Sequence, residues 1–348
     1  MLPHATFKET PEDFVVDEID AYPATGEGPH VFVRIRKRSL NTEQAVGRIA
    51  DALGLPRRDC GYAGMKDRDA IATQRISIPE VDPDRVRALA WDDLQILEVE
   101  RHRNKLKPGH LRGNRFTIRL REVSDRDAVV AGLDRIRREG FPNGFGAQRF
   151  GRDGDNADRA LAFVRGETRP PRDARERRLL FSALQSRWFN TVLDRRVADA
   201  TWNTALAGDL LKKTDSGGIF LCEDVETDRT RAERGEVSAT GPMFGPDMTS
   251  PIGEVQKLEL AVLAEDGLDV EKLVPHRALG EGTRRPLRVL TEELAYQLGD
   301  DQDLIVTVTL GKGVYATTLL ANVVTLQQPA KTVPLATGQA RGHQDEPT

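Results

Sequence analysis

Only two cysteines occur among the 348 residues, Cys60 and Cys222, far apart and with no cysteine or histidine near them at zinc-ligand spacing. A disulfide framework and a structural zinc site are excluded on that count, and a reducing compartment is expected. No uninterrupted apolar run reaches the roughly 20 residues needed to cross a bilayer, and the opening Met1-Leu2-Pro3-His4-Ala5-Thr6 lacks the charged start and apolar stretch of a signal peptide. A cytoplasmic protein with no membrane partner is expected. Nor is there an excess of positive charge: 51 Lys and Arg against 55 Asp and Glu give a net charge of −4, so any polyanionic partner must be held by local patches. No Gly-Lys-Ser or Gly-Lys-Thr follows the glycine-rich stretch 143–151, His30, His102 and His110 are scattered singly, and Ser182 and Ser186 stand in no hydrolase signature. Nucleoside-triphosphate chemistry, metal-dependent hydrolysis and serine hydrolysis therefore lack their residues.

What is present describes a globular chain. Hydrophobic content of 39% with 30% charged residues supplies a sizeable core, and the length fits two domains, or one domain with a large insertion. Strands are expected at residues 14–18 and at 30–37, where Val31, Val33 and Ile35 share one face. A helix should start at Asn41, with Gln44 closing a capping box, and stop at Gly54. From Gly61 the chain reads as extended, turns through Lys66-Asp67-Arg68-Asp69, and resumes as a strand at Gln74. A second helix is expected over 124–139, and Arg-rich helical sequence over about 156–200. Glycine-punctuated irregular sequence then runs to about Gly282, and a strand returns over 304–310, followed by a short apolar helix after Tyr315.

Residues 100–121 carry eight Lys or Arg (Arg101, Arg103, Lys105, Lys107, Arg112, Arg115, Arg119, Arg121) against one acid, Glu100. Phe116, Ile118 and Leu120 alternate with Arg115, Arg119 and Arg121, which predicts a core-facing strand with a basic, solvent-facing side suited to phosphates. In the segment Gly61-Tyr62-Ala63-Gly64-Met65-Lys66-Asp67-Arg68 a carboxylate stands between two cations that favour its ionised form, as a nucleophile or base requires; pattern alone favours an ordinary charged turn. Phe145, between Gly144 and Gly146, reads as a stacking platform for a nucleobase or as a buried turn residue, and Asn143 carries the donor and acceptor of a base edge.

Together these segments resemble the TruD family of tRNA pseudouridine synthases through nearly the whole chain. The resemblance is carried by Phe7-Lys8-Glu9-Thr10-Pro11-Glu12-Asp13-Phe14, Gly26-Glu27-Gly28-Pro29-His30, Asn41-Thr42, Ala63-Gly64-Met65-Lys66-Asp67-Arg68, Arg101-His102-Arg103-Asn104-Lys105-Leu106, Gly113-Asn114-Arg115-Phe116 and Asn143-Gly144-Phe145-Gly146-Ala147-Gln148-Arg149-Phe150-Gly151. It implies conversion of uridine 13 of tRNA to pseudouridine without cofactor or metal, Asp67 as catalytic residue, Lys8 and Lys66 as active-site lysines, and Asn143, Phe145 and Tyr315 around the base. RNA contacts are expected from Arg68, Arg101, Arg103, Lys105, Lys107, Arg115, Arg119, Arg121 and Arg149. The implied fold is α+β, a mixed, mostly antiparallel sheet with flanking helices, interrupted by an inserted domain. That gives a catalytic domain over 1–154 and 285–328, an insertion over 155–284, and a mobile tail over 329–348. tRNA is the expected partner, with no obligatory protein partner and a monomeric state.

Three positions depart from close relatives: Gly144 stands where they carry Tyr, and Ala321-Asn322 where they usually carry an Arg-Glu pair. Three chemical routes stay open for Asp67: attack on the ribose, attack on the base, or removal of a ribose proton. Two other readings compete, an RNA-binding protein without catalysis and a metal-dependent nuclease; the second would need clustered carboxylates.

Overall fold

The computed structural model describes residues 1–329, so the expected tail lies, but for its first residue, outside the described residues. Its framework is set by apolar alternation. β1 (His4–Phe7) and β2 (Phe14–Asp20) precede β3 (His30–Arg38) and α1 (Thr42–Leu53). At α1, Asn41 and Gln44 exchange side-chain-to-backbone bonds in the expected capping box, and Gly54 ends the helix at φ 71°. β4 (Gly61–Tyr62) pairs antiparallel with β5 (Ile71–Pro79), closing the expected hairpin around the loop 63–70. α2 (Pro83–Arg87), β6 (Leu94–His102), β7 (Leu111–Arg121), α3 (Arg126–Glu139) and β8 (Phe141–Pro142) complete the first part.

The next stretch holds α4 (Asn156–Val164), α5 (Ala174–Ala198), β9 (Leu210–Lys213), β10 (Ile219–Leu221), α6 (Val225–Glu233), β11 (Val237–Met243) and α7 (Gly253–Glu265). Irregular chain was expected between 200 and 282, but β9, β10 and β11 join β12 (Thr283–Pro286) in a four-stranded sheet. β9 and β10 are only four and three residues long, and the seven residues of β11 are mostly buried without alternation and include Gly241 and Pro242, so no period of two registers. The helices α6 and α7 also fall in that stretch and were not expected there; in α7, Val255, Glu259, Val262 and Leu263 are buried at helical spacing. β13 (Arg288–Val289) pairs with β8, and β14 (Glu293–Leu298), β15 (Leu304–Gly311), α8 (Ala316–Leu320) and β16 (Thr325–Gln327) finish the chain. β14 is a further strand that pattern reading passed over.

The large sheet has ten strands, in the order β14-β15-β7-β2-β5-β3-β6, with β1 beside β7 and β16, and β4 beside β5. Only β2 with β5 and β1 with β16 run parallel, so the sheet is mixed and mostly antiparallel, as expected. One face is covered by helices. Val16 lies opposite both Phe116 and Ala72, and these join Ile118, Leu120, Val306 and Val308 with α3 and α8 in one apolar cluster. Farther along the same face, Val31, Val33, Ile35, Ile76 and Ile78 pack against α1 in a second cluster. Arg115, Arg119 and Arg121 therefore point to the other face.

Candidate active site

Between the two apolar clusters, on the helix-covered face, sits a set of buried polar side chains: Glu18, Lys37, Thr42, Lys66 and Gln74. They are there because the loop 63–70 leaves its main-chain groups without sheet partners, and buried groups of that kind need replacements. Thr42 Oγ1 accepts from Lys66 N at 2.8 Å and donates to Gln74 Oε1 at 2.9 Å, while Gln74 Nε2 donates to Gly64 O. Lys37 Nζ donates to the carbonyls of Leu40 and, at 2.7 Å, of Asp67. Gly109 N donates to Ala63 O at 2.8 Å and Ser39 N to Ala70 O at 3.2 Å. The loop is thus fixed from both ends and from beneath.

From this loop the Asp67 side chain projects with 43% exposure, its Oδ2 at 2.6 Å from Lys8 Nζ. Lys8 lies over the Phe14 ring at 4.1 Å and the Phe7 ring at 5.2 Å, and it holds φ 57°. A lysine in the left-handed region costs about 1–3 kcal/mol and persists where surrounding contacts impose it; here the ion pair and the two rings do so. The sequence argument placed Lys66 and Arg68 beside the Asp67 charge. Instead Lys66 is buried against Glu18, whose other oxygen accepts from Arg75 N, and Arg68 is exposed with no ion pair among the described residues. The cation at the carboxylate is Lys8.

Sequence reasoning missed Lys37. Its ammonium is fully buried, and burial pushes it down to about 8, with Asp67 opposing the shift and Lys66 adding to it. Alternation on β3 would have flagged it, since Lys37 continues the apolar face of Val31, Val33 and Ile35.

A second group of residues surrounds Phe145. Asn143 is buried, its Nδ2 bonded to Pro286 O at 2.8 Å and its Oδ1 accepting from Arg285 Nη2 at 2.5 Å. One donor and one acceptor of its amide are thus engaged by the protein, which fixes the side chain against β12. The main chain of Phe145 is bracketed by Asn190, which accepts from its N at 2.8 Å and donates to its O at 2.9 Å. Phe189 meets the Phe145 ring edge-on at 5.6 Å, and the Arg285 guanidinium lies 4.2 Å from its centroid. Arg149 donates to Ser186 Oγ and to Ser182 O, which gives those serines a positioning role. The α5 residues Asn190 and Phe189 thus set the Phe145 platform, a dependence that sequence spacing did not reveal.

Tyr315 caps α8 with 47% exposure. Phe7, Ala70, Phe141 and Ala316, each within three residues of Lys8, Asp67, Asn143 or Tyr315, belong to one apolar cluster, so segments far apart in sequence share a core.

The basic stretch is largely neutralised. Arg112 meets Glu292, Arg115 meets Glu293 at 3.2 Å, Arg119 meets Asp303 at 2.6 Å, and Arg121 meets Asp13 at 2.8 Å and Glu9 at 3.6 Å. Arg103 pairs with Glu27, Arg101 donates to Gly28 O and Lys105 to Arg58 O. The surplus seen in residues 100–121 is offset by carboxylates distant in sequence. Arg115, Arg119 and Arg121 lie on the face away from the Glu18–Lys66 pair, each beside a carboxylate. A cleft of about 590 Å³ there is lined by cations and acids alike, among them Asp17, Asp20, Arg34, Arg112, Arg115 and Glu293.

Among the described residues no group of three or more His, Cys, Asp or Glu could hold a metal ion, and no helix is long and apolar enough to cross a membrane. Both thiols are buried; burial raises Cys60, and burial together with Asp228 pushes Cys222 up to about 12. Neither is an activated nucleophile.

Comparison with known proteins places the chain among RNA-modifying isomerases. Its sequence matches the family tRNA pseudouridine synthase D (TruD) over residues 4–168 and 173–323. It is 42% identical to the tRNA pseudouridine synthase D of Anaeromyxobacter sp. (strain Fw109-5), covering 90% of this chain and 91% of that protein. It is 38% identical to that of Geobacter sulfurreducens, covering 91% and 93%. The chain belongs to the TruD family of tRNA pseudouridine synthases. A crystal structure from Methanosarcina mazei assigned to TruD superposes with a TM-score of 0.76 at 23% identity, covering 93% of this chain and 94% of that one, which supports the fold.

Proposed function

We propose that this protein isomerises uridine 13 of tRNA to pseudouridine, with Asp67 as the catalytic residue and without metal or cofactor. The observation that carries the reading is the Asp67 carboxylate, 43% exposed to solvent yet held by Lys8 at 2.6 Å on a loop tied down by Lys37, Thr42 and Gln74. The uridine leaves its stack and is held against Phe145 and Tyr315. Unstacking costs a few kcal/mol, and aromatic contacts of about 1–3 kcal/mol each offset it. The bond between the ribose C1′ and N1 breaks, the uracil turns, C5 bonds to C1′, and the hydrogen of C5 passes to solvent while N1 gains one. Whether Asp67 attacks ribose, attacks the base or takes a ribose proton is open, and each route uses the anion.

Residues 155–284 act as the inserted domain, bracketing Phe145 through Asn190, with the catalytic domain formed by 1–154 and 285–328. RNA phosphates are met by Arg68, Arg149, Arg101, Arg103, Lys105 and Lys107, while Arg115, Arg119 and Arg121 remain with their carboxylates. The protein works as a monomer in the cytoplasm. The rival reading, RNA binding without chemistry, and the proposed one separate in a single assay. The protein is mixed with unmodified tRNA in chelator, and pseudouridine is mapped by a base-specific adduct that stops primer extension, because the product has the mass of the substrate. A stop at position 13 with wild type and none with Asp67→Asn, at near-equal tRNA affinity, is expected; full turnover by Asp67→Asn would remove the assignment.

A further inference from the structure

Arg284 and Arg285 are adjacent on β12 and meet opposite fates. Arg284 is buried and doubly bonded to Glu259, at 2.6 and 2.7 Å. Arg285 turns to the Phe145 side, where no carboxylate lies within ion-pair distance among the described residues; its Nε and Nη2 go to Asn143, and Nη1 has no partner. Arg149 is in the same condition, with Nε and Nη2 bonded to Ser186 and Ser182, Nη1 without a partner, and no acid beside it. Both guanidiniums flank one ring, at 4.2 and 5.4 Å from the Phe145 centroid. Burial pushes Arg285 down to about 10, with Tyr315 opposing and Arg149 adding to the shift, so two half-buried like charges stand near one ring without a counter-ion among the described residues. A third unmatched atom borders the loop: Thr318 Oγ1 is buried with no partner, 3.9 Å from where a Cβ on Gly146 would stand. Gly144 and Gly146 leave the backbone bare on either side of the ring.

We propose that Arg149 and Arg285 form a binding site for one backbone phosphate of the RNA strand that carries the target uridine. Charge is the first reason: a phosphate supplies the anion that both guanidiniums lack, and it relieves their mutual repulsion. Geometry is the second, because the two free Nη1 donors belong to forked groups already oriented by Asn143 and Ser186, which suits phosphate oxygens. With the phosphate seated there, its nucleotide is anchored at the stacking platform, and Arg285 couples that anchoring to the loop bearing Phe145. This rests on the synthase reading above and extends it to a residue, Arg285, and a ligand group.

The test measures tRNA affinity against salt for wild type, Arg285→Gln and Arg149→Gln, and repeats it with transcripts in which single phosphates around the target uridine are replaced by neutral methylphosphonate. Each variant should lower the salt slope by roughly 0.7, the value for one single-strand phosphate contact. One methylphosphonate position should weaken wild type and leave both variants unaffected. Thermal melting identifies any variant that is misfolded, in which case the methylphosphonate scan with the other variant decides. Unchanged slopes in the folded variants, or methylphosphonate effects that simply add to the substitutions, would overturn the proposal and leave Arg285 a structural partner of Asn143. If wild type makes no pseudouridine and shows no salt-dependent tRNA binding, the synthase reading falls and this proposal with it.

Discussion

Replacing Lys37 with methionine probes the base of the active site without touching the carboxylate. Two effects of opposite sign follow from the geometry. The change removes a buried ammonium whose displacement from 10.5 to about 8 corresponds to about 3 kcal/mol against its charged form. It also strips the Leu40 and Asp67 carbonyls of their donor, at about 1–3 kcal/mol each. The net lies between a gain of about 1 and a loss of about 3 kcal/mol, so Lys37→Met should fold. Turnover should nonetheless fall about a hundredfold, the cost of roughly 1 Å of misplacement in a reacting group, with tRNA affinity nearly intact. The sign of the pH effect is fixed too. Between pH 8 and 10.5 the unfolded chain holds the Lys37 proton that the folded one has lost, so wild-type stability rises with pH there relative to the variant, and the difference is constant below pH 8. Urea denaturation of both proteins at pH 7 and 10, beside single-turnover pseudouridine formation, reads all of this. A variant with wild-type turnover, or denaturation midpoints that shift in parallel with pH, would refute the reasoning.

Four other variants follow from the same structure. Asn190→Ala should lower the turnover number at least tenfold while leaving the salt slope of tRNA binding unchanged, since it frees the Phe145 main chain without removing a cation. Glu259→Gln should cost about 3–5 kcal/mol in chemical denaturation, because it strands the buried Arg284. Arg115→Gln combined with Arg119→Gln should leave the salt slope of tRNA binding at its wild-type value, and a drop of a full phosphate contact would return that strand to the RNA interface. Gly61→Ala puts a Cβ 2.3 Å from Leu106 O, forcing β4 away from its neighbour; a loss of about 1–3 kcal/mol in thermal melts is expected.

The sequence by itself determined the strands and helices whose apolar residues repeat at a clear period, together with the capping box at Asn41, the hairpin around Asp67 and the family, because these rest on neighbours in the chain. It did not determine the strands β9 to β11, which are held by pairing with one another and with β12. Nor could it assign partners to charges. Eight cations between residues 100 and 121 read as a phosphate surface until Glu292, Glu293, Asp303 and Asp13 arrived from remote segments to meet four of them. Conversely, Arg285 looked like any other arginine, and only folding left it beside Phe145 without an acid. Tertiary structure alone decided that Lys8 rather than Lys66 holds Asp67, and that Lys37 lies beneath it. The physical reason is the range of the forces: backbone propensity and periodic burial act over a few residues, whereas a charge is matched by whatever the fold brings within a few ångströms.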